Sequence, residues 1–264
     1  MITITSAELY TWVASFLWPL TRILGLISVA PLFGNVSVPA RLKLGLGVML
    51  AIVIAPTVPT LPAMDPMSLP GLLILLQQLV IGLAMGFAMR IVFASIELAG
   101  EVSSMTMGLG FAVFYDPQSR GRSSAISQFL ALLTMMVYLA TNMHLVLLST
   151  LAHSFTSLPI SAATLSGEGF RHLAGWGAKI FSAGIQLSLP IVAALLITNI
   201  ALGILTRAAP ALNLFGIGFP ITIGVGFLML ALSLPYLATP MTRLLQDGID
   251  AIQQITAAMV PKPR

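Results

Sequence analysis

Apolar residues gather along this chain in six runs, at about residues 9–30, 42–55, 71–89, 126–151, 173–204 and 221–238. Runs of such length read as membrane helices, since roughly 20 apolar residues cross a bilayer as a helix. The second run is short for a span. The fifth is long and contains Pro190, which removes a helix hydrogen bond and predicts a kink. Residues 90–107 form an additional helix-like stretch between the third and fourth runs. Pro56, Pro59, Pro62, Pro66 and Pro70 mark one stiff linker, and residues 154–169 are the most polar one.

Composition agrees with the pattern. Of 264 residues, 58% are hydrophobic and only 8% charged, whereas a soluble domain carries about a quarter charged residues. The expected fold class is therefore an all-α integral membrane protein with bent and broken helices. There is no cysteine, which excludes disulfide and thiolate chemistry. The net charge of +4 is scattered singly between apolar runs, so it reads as topology rather than as a nucleic-acid surface. No Lys or Arg precedes the first run, while Glu8 does, so that run is expected to persist rather than be cleaved.

Arg41, Lys43, Arg90, Arg120, Arg122 and Arg207 follow odd-numbered runs. Asp65, Glu168, Arg171 and the tail cations Arg243, Lys262 and Arg264 follow even-numbered ones. The positive-inside rule then places both termini outside, if every run crosses. Arg41, Lys43, Arg120 and Arg122 are contacts for partners or anionic lipid, or orientation signals alone.

Residues 108–117 are apolar and aromatic like a membrane helix but carry the chemistry of a loop. Gly108 and Gly110 open the segment, Phe111 and Phe114 fill it, and Asp116-Pro117 closes it. An apolar loop must be buried in protein or line a closed passage, because its free backbone groups cannot face lipid. Before it, Arg90, Ala94, Glu97, Glu101, Ser104 and Gly108 recur at steps of three or four and form one polar or small stripe on a helix. The stripe lines a passage, contacts a subunit, or is a satisfied cluster in which Arg90 offsets Glu97.

Gly82 and Gly86 form a GxxxG pair suited to close helix packing. Arg22 and Lys179, inside apolar runs, are expected to snorkel to an interface. Met105 and Met107 read as ordinary packing. His144, His153 and His172 lack metal-ligand spacing, and no nucleotide motif or nucleophile–base set is present. No catalytic residue, cofactor site or metal site is therefore expected. Residues 207–220, with Pro210, Pro220 and Gly216-Ile217-Gly218, read as a broken helix tolerated only within protein or beside a cavity.

Arg207-x-x-Pro210 followed by Leu214-Phe215-x-Ile217-Gly218-Phe219-Pro220 resembles a signature of the FliR family, the flagellar branch of the type III export gates shared with injectisomes. The resemblance continues in Trp18-Pro19-Leu20-x-Arg22-Ile23-Leu24 and in Ser37-Val38-Pro39-x-Arg41-x-Lys43-Leu44-Gly45-Leu46. It recurs in Gln77-Gln78-x-x-Ile81-Gly82 and in Met107-Gly108-Leu109-x-Phe111-Ala112-x-Phe114-x-Asp116-Pro117, covering about residues 5–240.

The resemblance implies a FliP-like part at residues 1–170 followed by a FliQ-like helical hairpin and tail at 171–264. It implies one copy in a closed assembly with FliP and FliQ homologues, with an FlhB homologue around the cytoplasmic mouth. Unfolded flagellar subunits would pass through its centre across the bacterial inner membrane at the basal body. It also makes residues 108–117 a plug loop with Phe111 and Phe114 as stoppers, and gives Arg207, Pro210, Phe215, Gly218, Phe219 and Pro220 a part in subunit packing. A secondary transporter for a small solute is the alternative suggested by the interruptions near Pro190 and Pro210–Pro220, and an injectisome paralogue is the alternative within the resemblance.

Overall fold

The computed structural model describes residues 6–59, 62, 64–109, 124–209 and 214–261. Among these the chain is helical and carries no strand. The helices are α1 (Ser6–Val29), α2 (Ala40–Ile54), α3 (Leu69–Thr106), α4 (Ala125–Ala140), α5 (Met143–Ser157), α6 (Gly167–Trp176), α7 (Lys179–Ala208) and α8 (Leu214–Ala258), with a short 3-10 turn at Ala55–Thr57. Five stretches are long and apolar enough to cross a membrane, or six if α4 and α5 are counted as one broken span. The all-α membrane class expected from the sequence is thus the observed one.

Three elements differ from the apolar runs. The third run and the stretch after it are a single helix of 38 residues, α3. Residues 90–107 contain no proline, and the hydroxyls of Ser95, Ser103 and Thr106 bond carbonyls three or four residues earlier in the same helix, so they do not interrupt it. The fourth run is broken at Thr141–Asn142, where Asn142 takes the left-handed conformation at φ 57°, ψ 22°. Asparagine tolerates that region better than most residues, but the surrounding apolar sequence hides the break. The sixth run continues to Ala258 through Pro220, Pro235 and Pro240. Its last twenty residues are amphipathic: Met241, Leu244, Leu245, Ile249, Ile252 and Ile255 are buried, while Arg243, Gln246, Asp250 and Gln253 are exposed. That i, i+3, i+4 pattern is ordinary helix periodicity; a search for uninterrupted apolar runs passes over it.

The chain forms two compact units. The first comprises residues 1–91, 142–177 and 245–264; the second comprises 92–141 and 178–244. The division expected from the resemblance, at 1–170 and 171–264, stays a proposal. In the first unit Trp18, Ile23, Leu26, Ile74, Ile81, Met85, Leu151, Phe155 and Ile255 are almost completely buried. Here Gly82 and Gly86 bring α3 against α1. A Cβ on Gly82 would meet Arg22 O and lie 2.9 Å from Leu26 N, and one on Gly86 would lie 2.8 Å from Leu26 O. The second unit has Phe93, Ile96, Leu130, Tyr138, Leu195 and Met241 in its core. Phe93 and Tyr138 meet edge to face, with ring centroids 5.7 Å apart.

Candidate functional site

The apolar loop starts from a fixed point in the second unit. α3 ends at Thr106, and the Gly108 amide donates to Met105 O at 3.0 Å. Gly108 then turns the chain at φ +89°, a region that L side chains avoid. A Cβ at this position would lie 2.8 Å from the Phe219 ring, so glycine is also required by space. One turn further along α8, the Thr222 hydroxyl is shared between Phe219 O at 3.1 Å and Met107 O at 3.2 Å. The structure thus joins the opening glycine of the loop to the phenylalanine of the 207–220 motif, residues that are far apart in sequence. Gly110, Phe111, Phe114, Asp116 and Pro117 lie outside the described residues.

Ser124 caps the start of α4. Its hydroxyl accepts from the Ser127 amide at 3.2 Å, and its own amide donates to Glu101 Oε2 at 3.1 Å. Ser127 in turn donates from its hydroxyl to Glu97 O at 2.8 Å. The Glu101 carboxylate and the Glu97 backbone carbonyl, both on half-buried residues of α3, thus hold the start of α4. Ser104 is buried at 2% exposure, whereas Arg90 is exposed and belongs to the first unit.

Arg207 lies in the last turn of α7, where a cation complements the negative end of the helix. Pro210 lies outside the described residues, and Phe215 falls in the first turn of α8. Gly218 is buried, Phe219 is half-buried against Gly108, and Pro220 is exposed within α8. Of the stretch 207–220, residues 207–208 end α7, Ala209 caps it, and residues 214–220, including the Gly-x-Gly and Pro220, are helical.

Arg22 does not snorkel. It is completely buried in the first unit. Its Nε donates to Gln78 Oε1 at 2.8 Å, Nη1 to Ser154 O at 2.8 Å and to Ser154 Oγ at 3.0 Å, and Nη2 to Leu158 O at 2.9 Å. The guanidinium also lies over the Phe155 ring, 4.4 Å from its centroid, in a cation–π contact. No carboxylate among the described residues pairs with it. Its compensation is the end of a helix: Ser154 and Leu158 lie at the C-terminus of α5, where the helix dipole is negative, and Ser154 O accepts both from Arg22 and from the Leu158 amide at 2.9 Å. α5 has no basic residue of its own in that turn. The signal available in the sequence was the second polar intruder, Gln78, inside the third run.

The chain matches the family model described as "Bacterial export proteins, family 1" over residues 13–248. Flagellar biosynthetic protein FliR of Pectobacterium carotovorum subsp. carotovorum is 40% identical to it over 255 residues, covering 97% of each chain. The FliR of Escherichia coli K12 is 38% identical over 261 residues, covering 98% of this chain and 99% of that one. The FliR of Bacillus subtilis is 29% identical over 247 residues, covering 92% and 95%.

Proposed function

From the premise that the chain belongs to bacterial export protein family 1, among the FliR proteins of flagellar biosynthesis, we propose that it is a single-copy channel subunit of the flagellar export gate. The family gives it a role in flagellar protein export as a membrane protein of the export apparatus. In the finer reading it assembles with FliP and FliQ homologues and an FlhB homologue in the bacterial inner membrane. It passes unfolded flagellar subunits and catalyses no reaction. Identity of 40% over 97% of a flagellar relative favours the flagellar branch over an injectisome one.

The observation that carries the plug reading is the anchoring of Gly108. An apolar segment leaves α3 through a glycine at φ +89° that is held against Phe219. A loop with such a fixed root can present Phe111 and Phe114 at a constant place. Their aromatic side chains would exclude water and ions at rest, and Gly108 and Gly110 would let the loop yield to a passing chain. Asp116-Pro117 would end it. Phe219, Gly218 and Pro220 would serve the packing that keeps this root in position.

Replacing Phe111 and Phe114 together by alanine tests the reading. Resting cells that assemble the complex should leak small ions on the order of tenfold faster, the factor that ~1.4 kcal/mol of lost closed-state preference produces. Unchanged permeability, with the complex present at normal amount, removes the plug role.

A further inference from the structure

In the second unit α7 and α8 are held tightly to α3 at two points and loosely between them. A Cβ on Gly184 of α7 would lie 2.9 Å from Ser95 O, and one on Gly226 of α8 would meet the Met107 side chain. Missing side chains let helices approach closely and fix them there. Between Ser95 and Met107, α3 borders a cavity of about 30 Å³ whose walls include Ala99 and Ser103 of α3, Pro190 and Ile191 of α7, and Leu230 and Ser233 of α8. A water would fit, but the two hydroxyls already spend their hydrogens within their own helices. Ser103 donates to Ala99 O at 2.8 Å and Ser233 to Leu230 O at 2.9 Å. The other side chains that line the cavity are apolar. Such a void lowers stability, because its lining atoms lose contacts that a packed interior would give them.

Both helices beside the cavity are weakened at its level. Pro190 has no N–H, so the Gln186 carbonyl of α7 loses its partner in the helix ladder. Pro235, two residues after Ser233, does the same to the Ala231 carbonyl of α8. Beyond Pro190, α7 is lightly held. Its buried residues there are Ile191, Leu195 and Leu202, whereas Leu196, Ile197, Ile200 and Ile204 are exposed.

We propose that Pro190 is a hinge, that residues 191–208 swing about it, and that the cavity is the room this motion needs during export. The hinge is independent of the plug reading and rests only on the family's role in flagellar protein export. The void is then kept at a cost in stability because a filled one would lock the arm.

Ala99→Val, which extends the cavity wall into the void, separates this from a purely structural role. It should raise the unfolding temperature of the detergent-solubilised chain by about 2–4 °C, the shift that filling a methyl-sized void gives in a chain of roughly this length. In cells it should lower secretion of flagellar subunits about fivefold, the population change that the same free energy produces. A structural role alone would move the two readouts together. Higher stability with wild-type secretion overturns the proposal. Unchanged or lower stability also overturns it, since the added methyl groups then find no room. The motion is read independently of secretion. The chain has no cysteine, so spin labels on Ser182→Cys and Gly203→Cys report one distance across Pro190. Its distribution should be broad in the otherwise unaltered chain and narrower once Pro190→Ala or Ala99→Val is added. Equal widths with and without Pro190 overturn the hinge.

Discussion

Arg22→Ala should leave almost no folded chain in the membrane. The substitution removes the arginine's donors from Gln78 Oε1 and Leu158 O, and takes one of two partners from Ser154 O and Ser154 Oγ, in a region where the arginine itself has no exposure. Water does not reach such acceptors, and breaking a buried charged network of this kind costs about 3–5 kcal/mol. Total stabilities of folded domains are only about 5–15 kcal/mol. Lysine should not rescue the variant. Its ammonium cannot spread donors over α3 and two carbonyl groups of α5 as a planar guanidinium does. Arg22→Met combined with Gln78→Leu should recover part of the loss, because removing both partners of a buried bond costs less than removing one. Membrane level and thermal unfolding of the detergent-solubilised chain measure the effect. Unfolding of Arg22→Ala within a degree of the wild type would disprove the central role of this cluster.

The second large effect is expected at Gly82. Even a methyl group there meets the α1 backbone at Arg22 O and Leu26 N, and backbone cannot step aside as a side-chain tip can. Gly82→Ala should therefore destabilise by roughly 1–3 kcal/mol, the range for overpacking, and Gly82→Leu should prevent accumulation. Gly45 and Gly203 provide the control. Both are helical, and a Cβ at either has no neighbour within 4 Å among the described residues. Alanine at those positions should be neutral or stabilise the isolated chain by about 0.5–1 kcal/mol. Equal effects at Gly82 and Gly45 would show that the contact of α1 with α3 does not depend on the glycine. Because Gly82 of α3 packs against the turn of α1 that carries Arg22, its substitutions should also couple to those at Arg22 and Gln78 rather than add.

What the sequence revealed divides along physical lines. The apolar runs marked most of the helices because burial in lipid or protein demands unbroken apolarity. The GxxxG at Gly82 was legible because close approach demands a missing side chain. Arg22 was misread. A long cationic side chain in an apolar run ordinarily reaches for water, and only the partners on α3 and α5 reveal that this one turns inward. Glu101 was seen as part of a stripe, but its object, the Ser124 amide, lies 23 residues further on. The contact between Gly108 and Phe219 was equally invisible, since each residue had a sufficient local explanation as a turn glycine or a motif aromatic. Helix boundaries failed where polarity was periodic rather than absent, as in the last twenty residues of α8.

The two halves of the broken fourth run also receive their charges from outside. α4 takes a carboxylate at its start from Glu101, and α5 takes a guanidinium at its end from Arg22. Neither helix carries a matching charge of its own in that turn. Both helix ends are thereby satisfied without a local acid or base, which lets the run itself remain apolar.

The arginine cluster also imposes an order on biosynthesis. Arg22 leaves the ribosome 132 residues before Ser154 and 136 before Leu158. At about 5–20 residues per second, roughly 7–27 s separate the guanidinium from its last acceptor. During that interval the nascent first helix carries a charge that costs about 2.5–3.5 kcal/mol at the centre of a membrane helix. The core of the first unit around Arg22 therefore closes only after more than half of the chain has been translated.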